Sequence, residues 1–240
     1  MNRGRRSRAD GPALHGAAAA AAADTDAAPQ ISRILQPRQP FSDADVSLLS
    51  DSEPFRARAR VLARVERIFG SLREHLRRQV ADGNYLAPLG LDRDQGKIGR
   101  GEYLDDLPYV YLDLPRYFDA TGAFTFRSLF WWGHGVSFSL ILGGPHLPAY
   151  RDRVLQNVDV LQALDVNVAL GVDPWDWRHG EGHTLPIRRG GETELFSALR
   201  GRSFLKCSRF LSFGDEEFRA NRIDEAALLT FRALEPIVLA

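Results

Sequence analysis

Between residues 124 and 142, large apolar side chains alternate with small or polar ones on both sides of Gly133-His134-Gly135. Alternation at period two marks a strand with one buried face, and glycine supplies the positive φ that short hairpin loops need. A three-residue loop over 133–135 pairs Trp132 with Val136, Phe130 with Phe138, Ser128 with Leu140 and Phe126 with Leu142. That register gathers nearly all the large apolar groups on one face. The other face pairs Trp131 with Ser137, Leu129 with Ser139 and Arg127 with Ile141. A two-residue loop would set an aromatic ring against a serine at each step. The stretch is long enough to cross a bilayer, but Arg127, His134 and the internal glycines fit a hairpin and argue against a span.

Helices and strands are legible around this hairpin. Over 54–80, Phe55, Val61, Leu62, Val65, Ile68, Phe69, Leu72 and Leu76 recur at steps of three and four, which predicts a long amphipathic helix stopped by Asp82-Gly83-Asn84. A glycine-rich loop is expected over 90–101. The run 108–115 reads as a strand, with Val110, Leu112 and Leu114 on one face and Tyr109, Tyr111 and Asp113 on the other. Pro148 opens a helix bearing Tyr150, Val154, Leu155, Val158 and Leu161. Residues 166–172 and 203–213 read as strands, a short helix runs from Thr193 to Gly201, and 216–235 closes the chain as a helix. This order predicts an α+β two-layer sandwich, a mainly antiparallel sheet with helices packed on one face.

Residues 1–41 differ in kind. Arg3, Arg5, Arg6 and Arg8 precede an alanine run at 17–23, followed by Pro29, Pro37 and Pro40. Alanine is too weak a hydrophobe for a secretory h-region, so a disordered low-complexity tail is expected, with a single domain over 42–240. About 190 residues suffice for one buried core. Formal net charge is zero, so nucleic acid is not an expected partner for the protein as a whole. Of the cationic residues only Lys97 and Lys206 are lysines. A lone Cys207 can form no internal disulfide, and a cytoplasmic, reducing setting is the default expectation.

Familiar catalytic signatures fail on inspection. Gly96-Lys97 has Ile98 where a phosphate-binding loop needs Ser or Thr, and Gly135-Val-Ser137-Phe-Ser139 lacks the closing glycine of a nucleophile elbow. His179-Gly-Glu181-Gly-His183 is the candidate metal site. In an extended chain these residues project to one side and would suit zinc or another divalent ion, although glycines on both sides of Glu181 favour a solvated loop. Asp173-Pro-Trp175-Asp176-Trp177 precedes it, and two tryptophans in a loop either cover the core or line a pocket. Tyr109, Tyr111, Asp113, Arg127, Trp131, Ser137, Ser139 and Asn167 share the sheet face away from the helices. Polar groups converging among aromatics make that face a ligand-site candidate, and an Asp113–Arg127 salt bridge is the plain alternative. The long helix carries eight arginines against Glu66 and Glu74, either a solvated face or a site for phosphate or acidic partners.

With Gly101-Glu102-Tyr103, Leu107-Pro-Tyr-Val-Tyr-Leu-Asp-Leu-Pro115 and Phe130-Trp-Trp-Gly133, the segment 96–144 resembles a group of bacterial proteins to which no activity is attached. The resemblance implies a bacterial, single-domain protein and no particular chemistry.

Three functional expectations follow. The first is a non-enzymatic binding or interaction module for a small molecule or protein, without cofactor, that uses Tyr111, Asp113, Arg127, Trp131, Trp175 and Trp177. The second is a metal-dependent hydrolase with His179, Glu181 and His183 as ligands and Asp113 or Asp176 as base. The third is a binder of RNA or an acidic partner through the arginine-rich helix.

Overall fold

The structure is a computed structural model that describes residues 39–120 and 122–240. The expected tail therefore lies almost wholly outside the described residues. Helix α1 (Asp43–Ser50) belongs to a first unit that ends at Ser52. Ser42 caps it, accepting from the Asp45 amide at 3.2 Å while the Asp45 carboxylate accepts from the Ser42 amide at 2.8 Å. None of its side chains is buried.

A second unit runs from Glu53 to Ala240. It opens with α2 (Glu53–Ala81), whose buried stripe of Leu62, Val65, Phe69, Leu72, Leu76 and Val80 follows the predicted periodicity. Four long strands follow: β1 (Lys97–Leu104), β2 (Leu107–Phe118), β3 (Ala123–Trp131) and β4 (Gly135–Gly143). Helices α3 (Leu147–Gln156) and α4 (Val158–Ala163) lead to β5 (Asn167–Ala169) and β6 (Thr184–Pro186). Then come α5 (Glu192–Leu199), β7 (Phe204–Leu211), α6 (Glu216–Arg219), α7 (Ile223–Leu234) and a 3-10 turn at Glu235–Ile237. The strands form one antiparallel sheet in the order β1-β2-β3-β4-β7-β5-β6. This is the expected α+β arrangement.

Side-chain alternation sorts the sheet into two faces. Val110, Leu112, Leu114, Phe124, Phe126, Phe130, Phe138 and Leu140 join the helices' apolar stripes in one large core. Phe126 meets Phe231 of α7 edge to face at 5.1 Å. The opposite face holds a smaller cluster of Leu129, Trp131, Ile141 and Trp177.

The hairpin register differs from the expected one by two residues. Phe130 pairs with Val136, Ser128 with Phe138 and Phe126 with Leu140, so the loop is 132–134. A shift of two preserves every face assignment. The cause lies across the sheet. Gly135 sits at φ +139°, and a Cβ built there would lie 2.5 Å from the Leu211 carbonyl oxygen. Glycine at 135 thus serves the close approach of β7, and Gly133, at φ +79°, serves the turn.

Other boundaries shift for local reasons. Most of β1 lies within the expected glycine-rich loop. Cβ atoms on Gly99 and Gly101 would strike the rings of Tyr111 and Tyr109 on β2, so these glycines belong to a strand that admits aromatic rings. Strand β2 continues past Pro115 across a register shift between Asp113 and Arg116. The closing helix is two helices, α6 and α7, separated near Asn221, which has φ +59°. Strand β5 stops at Ala169 because the chain turns away there. Arg202 holds the departing Leu170 and Gly171 carbonyls at 2.8 and 2.6 Å.

Candidate functional site

The register builds one polar row across the face away from the helices. Lys97, Asp113, Arg127, Ser139, Ser208 and Asn167 occupy successive strands at paired positions. Arg127 donates through Nε and Nη to the two carboxylate oxygens of Asp113, both at 2.6 Å. Asp113 is 1% exposed, so this is a buried, bidentate ion pair. Farther along the row the Ser139 and Ser208 hydroxyls bond to each other at 2.8 Å.

Loop 170–183 crosses this face as a strap, and its two tryptophans meet the cationic side chains beneath. The Arg127 guanidinium lies 4.4 Å from the Tyr111 ring centre, 4.7 Å from Trp175 and 5.5 Å from Trp177. Lys206, two residues along β7 from Ser208 of the polar row, donates to the carbonyls of Pro174 at 3.1 Å and Asp176 at 2.7 Å. Its ammonium also lies 3.6 Å from the Trp177 ring centre. Burial pulls the Lys206 amine down to about 7; Asp176 and Asp173 resist the shift and Arg127 adds to it. The Asp176 carboxylate, gripped by Arg178 through two contacts of 2.9 Å, is held low, at about 2.

The strap divides the face into two clefts. The larger, about 490 Å³, is floored by Leu129, Trp131, Ser137, Trp177 and Phe210 and rimmed by His134, His179 and His183. Two imidazoles stack on aromatic rings there: His134 on Trp131 at 3.6 Å and His179 on Phe210 at 4.3 Å. The smaller cleft, about 200 Å³, is lined by Lys97, Tyr111, Asp113, Arg116, Phe118, Arg127 and Trp175.

The expected ligand-site residues are therefore brought to one face but split between two clefts. Tyr111, Asp113, Arg127 and Trp175 belong to the smaller, and Trp131 and Trp177 to the larger. Trp177 covers the sheet as well as lining a wall, so both readings of the tryptophan loop apply. The His179–His183 segment is a turn and not extended chain: Gly180 and Gly182 have φ of +94° and +76°, and the Gly180 carbonyl accepts from the His183 and Thr184 amides. His183 Nδ1 lies 3.6 Å from Asp176 Oδ2, and Glu181 is exposed. Among the described residues no three His, Cys, Asp or Glu side chains are grouped to hold a metal ion. Several α2 arginines are engaged by acids: Arg58 by Glu102, Arg60 by Glu53, and Arg77 by Glu74 and Asp94.

Sequence reasoning did not single out Lys206, His134 or Phe210. A signal for Lys206 was present, because it is one of only two lysines in a chain that otherwise uses arginine. A compact ammonium fits against two carbonyls and a ring face where a planar guanidinium does not.

No protein-family model, curated protein or solved structure matches this chain. No helix among the described residues is long and apolar enough to cross a membrane.

Proposed function

We propose that this protein is a small-molecule binding module whose ligand lies in the larger cleft, against Trp131 and Phe210. The observation that carries this reading is the pair of imidazole–aromatic stacks flanking one partly apolar cavity of about 490 Å³. A floor of rings with a few polar groups at the rim is how ligand pockets are usually built. Ring nitrogens at the rim can hydrogen-bond a ligand's edge, so the matching ligand is flat and mainly apolar, with hydrogen-bonding groups along one edge. The strap supports the same reading, since Lys206 and Arg127 hold Trp177 in place before any ligand arrives and reduce the ordering cost of binding. The single cysteine, fully buried, suits a reducing compartment such as the cytoplasm.

The test is a ligand-observed NMR screen of aromatic fragments against the full-length protein, repeated with His134→Ala/His179→Ala. Both side chains are exposed, so the fold should tolerate their loss. Fragments that bind the parent protein and lose affinity in the double variant support the reading. Absence of binders, or equal binding to both proteins, overturns it.

A further inference from the structure

The smaller cleft has a charge balance that its structural role does not require. Four of its lining residues are of formally charged type: Lys97, Arg116 and Arg127 are basic, and Asp113 alone is acidic. Both Asp113 oxygens are taken by Arg127. The neighbouring carboxylates on the same side of the domain are also committed. Asp92 accepts from the amides of Asp94, Gln95 and Gly96, Asp94 meets Arg77, and Asp173 accepts from the Trp175 amide. The cleft's own lining thus carries an excess of positive charge, in a protein whose formal net charge is zero.

A second observation points the same way. Arg116 Nε is shielded from solvent and has no hydrogen-bond partner. Its register partner on β3, Thr125, is fully buried and its hydroxyl also lacks one. Unsatisfied buried polar atoms are rare enough to need a cause, and an absent acceptor is one. The walls are aromatic: Tyr111 and Trp175 both contact the Arg127 guanidinium, at 4.4 and 4.7 Å, and Phe118 packs 5.7 Å from Trp175.

We infer that this cleft is an anion site, separate from the larger one, for a compact oxyanion carried on a flat ring. Lys97 and Arg116 meet the phosphate or carboxylate by charge-assisted hydrogen bonds, and the ligand's ring lies against the Phe118 and Trp175 side chains that line the cleft. Arg127 stays with Asp113 and shapes the floor. A volume of about 200 Å³ admits one such group.

Calorimetric titration of the full-length protein with phenyl phosphate, benzoate and inorganic phosphate tests this. Expected is saturable binding of phenyl phosphate or benzoate, weaker binding of inorganic phosphate, and an affinity lowered about tenfold in Lys97→Gln/Arg116→Gln, the loss of one or two charge-assisted contacts. Lys97 is exposed, so Lys97→Gln alone keeps the test valid if the Arg116 change disturbs folding. No binding by any of the three probes overturns the site, as does an affinity unchanged in Lys97→Gln and in a folded double variant. Equal affinity for phosphate with and without its ring overturns the aromatic part. The result is independent of the larger cleft, because none of the varied residues lines it.

Discussion

The Lys206 ammonium nitrogen lies 3.6 Å from the centre of the Trp177 ring and donates to the backbone carbonyls of Pro174 and Asp176, which flank Trp175. One side chain from the middle of β7 therefore fixes the position of a loop that has little regular structure. Lys206 is 3% exposed, so the loop also seals the cation from water. The desolvation is what lowers its proton affinity, and the Asp176 and Asp173 carboxylates offset only part of it.

That arrangement predicts a pH dependence with a definite sign. Burial holds the folded amine at about 7, against an ordinary lysine near 10.5 in the unfolded chain. Above pH 7 the unfolded chain keeps a proton that the folded chain has released, so the Lys206 contribution to stability rises with pH, by up to about 1.4 kcal/mol per unit. Above pH 9 the opposite trend enters, because burial pushes the Cys207 thiol and the Tyr150 hydroxyl up to about 12 and the unfolded chain loses those protons first. The clean window is pH 7 to 9. Urea unfolding midpoints of the parent protein should climb there relative to Lys206→Met, and parallel pH profiles for the two would refute the assignment.

The Asp113–Arg127 pair predicts a strongly asymmetric response. Asp113→Ala leaves a guanidinium shut in between Tyr111 and the two strap tryptophans without its counter-charge, and should cost about 3–5 kcal/mol. In Asp113→Ala/Arg127→Met the orphaned charge is gone, and a flexible apolar chain takes its place among the rings. The double variant should recover much of the loss, as a denaturant-melt double-mutant cycle will show. A double variant as unstable as the sum of the two singles would mean zero coupling energy between the two residues, and would refute the pairing as an energetic unit.

What was readable in the sequence was the part fixed by periodicity. The α2 stripe, the two faces of β2 and the faces of the β3–β4 hairpin follow from local spacing alone, because each records which side is buried. The register missed by two residues because Gly135 answers to β7, some seventy residues downstream, a contact that no local pattern carries. Strand β1 was hidden for a related reason. Gly99 and Gly101 look like loop residues until the Tyr111 and Tyr109 rings are seen to occupy the space above them. Asp113 and Arg127 were placed on one face from alternation, and the structure joins them. The strap that covers them was not legible, since its course depends on Lys206 and Arg202, which lie beyond it in the chain and hold it only once the sheet exists.

Two glycines should respond to alanine in opposite directions. Gly70 lies in the interior of α2, and no atom comes within 4 Å of a Cβ built there. Gly70→Ala removes the entropic penalty of glycine in a helix and should stabilise the fold by about 1 kcal/mol. Gly135→Ala forces a side chain against the Leu211 carbonyl at a φ of +139°, and should cost about 2 kcal/mol or more. Thermal melts decide both, and a destabilised Gly70→Ala would show that the helix face at that point is packed against something.

Adjacent on β7, Lys206 and Cys207 point to opposite faces, the first under the strap and the second into the helix-packed core. This separates local from global opening. A fully buried thiol whose proton is held well above neutrality by burial is a poor nucleophile, so a thiol reagent should leave folded protein unlabelled at pH 8. Lys206→Met frees the strap without touching the core face, and should raise proteolytic cleavage within 170–183 while leaving Cys207 as unreactive as before. Labelling should then begin only where urea unfolds the whole domain, tracking the global transition. If Cys207 became reactive as soon as the strap was released, the two faces of the sheet would be opening together, and the strap would belong to the core's cooperative unit and not to a separate one.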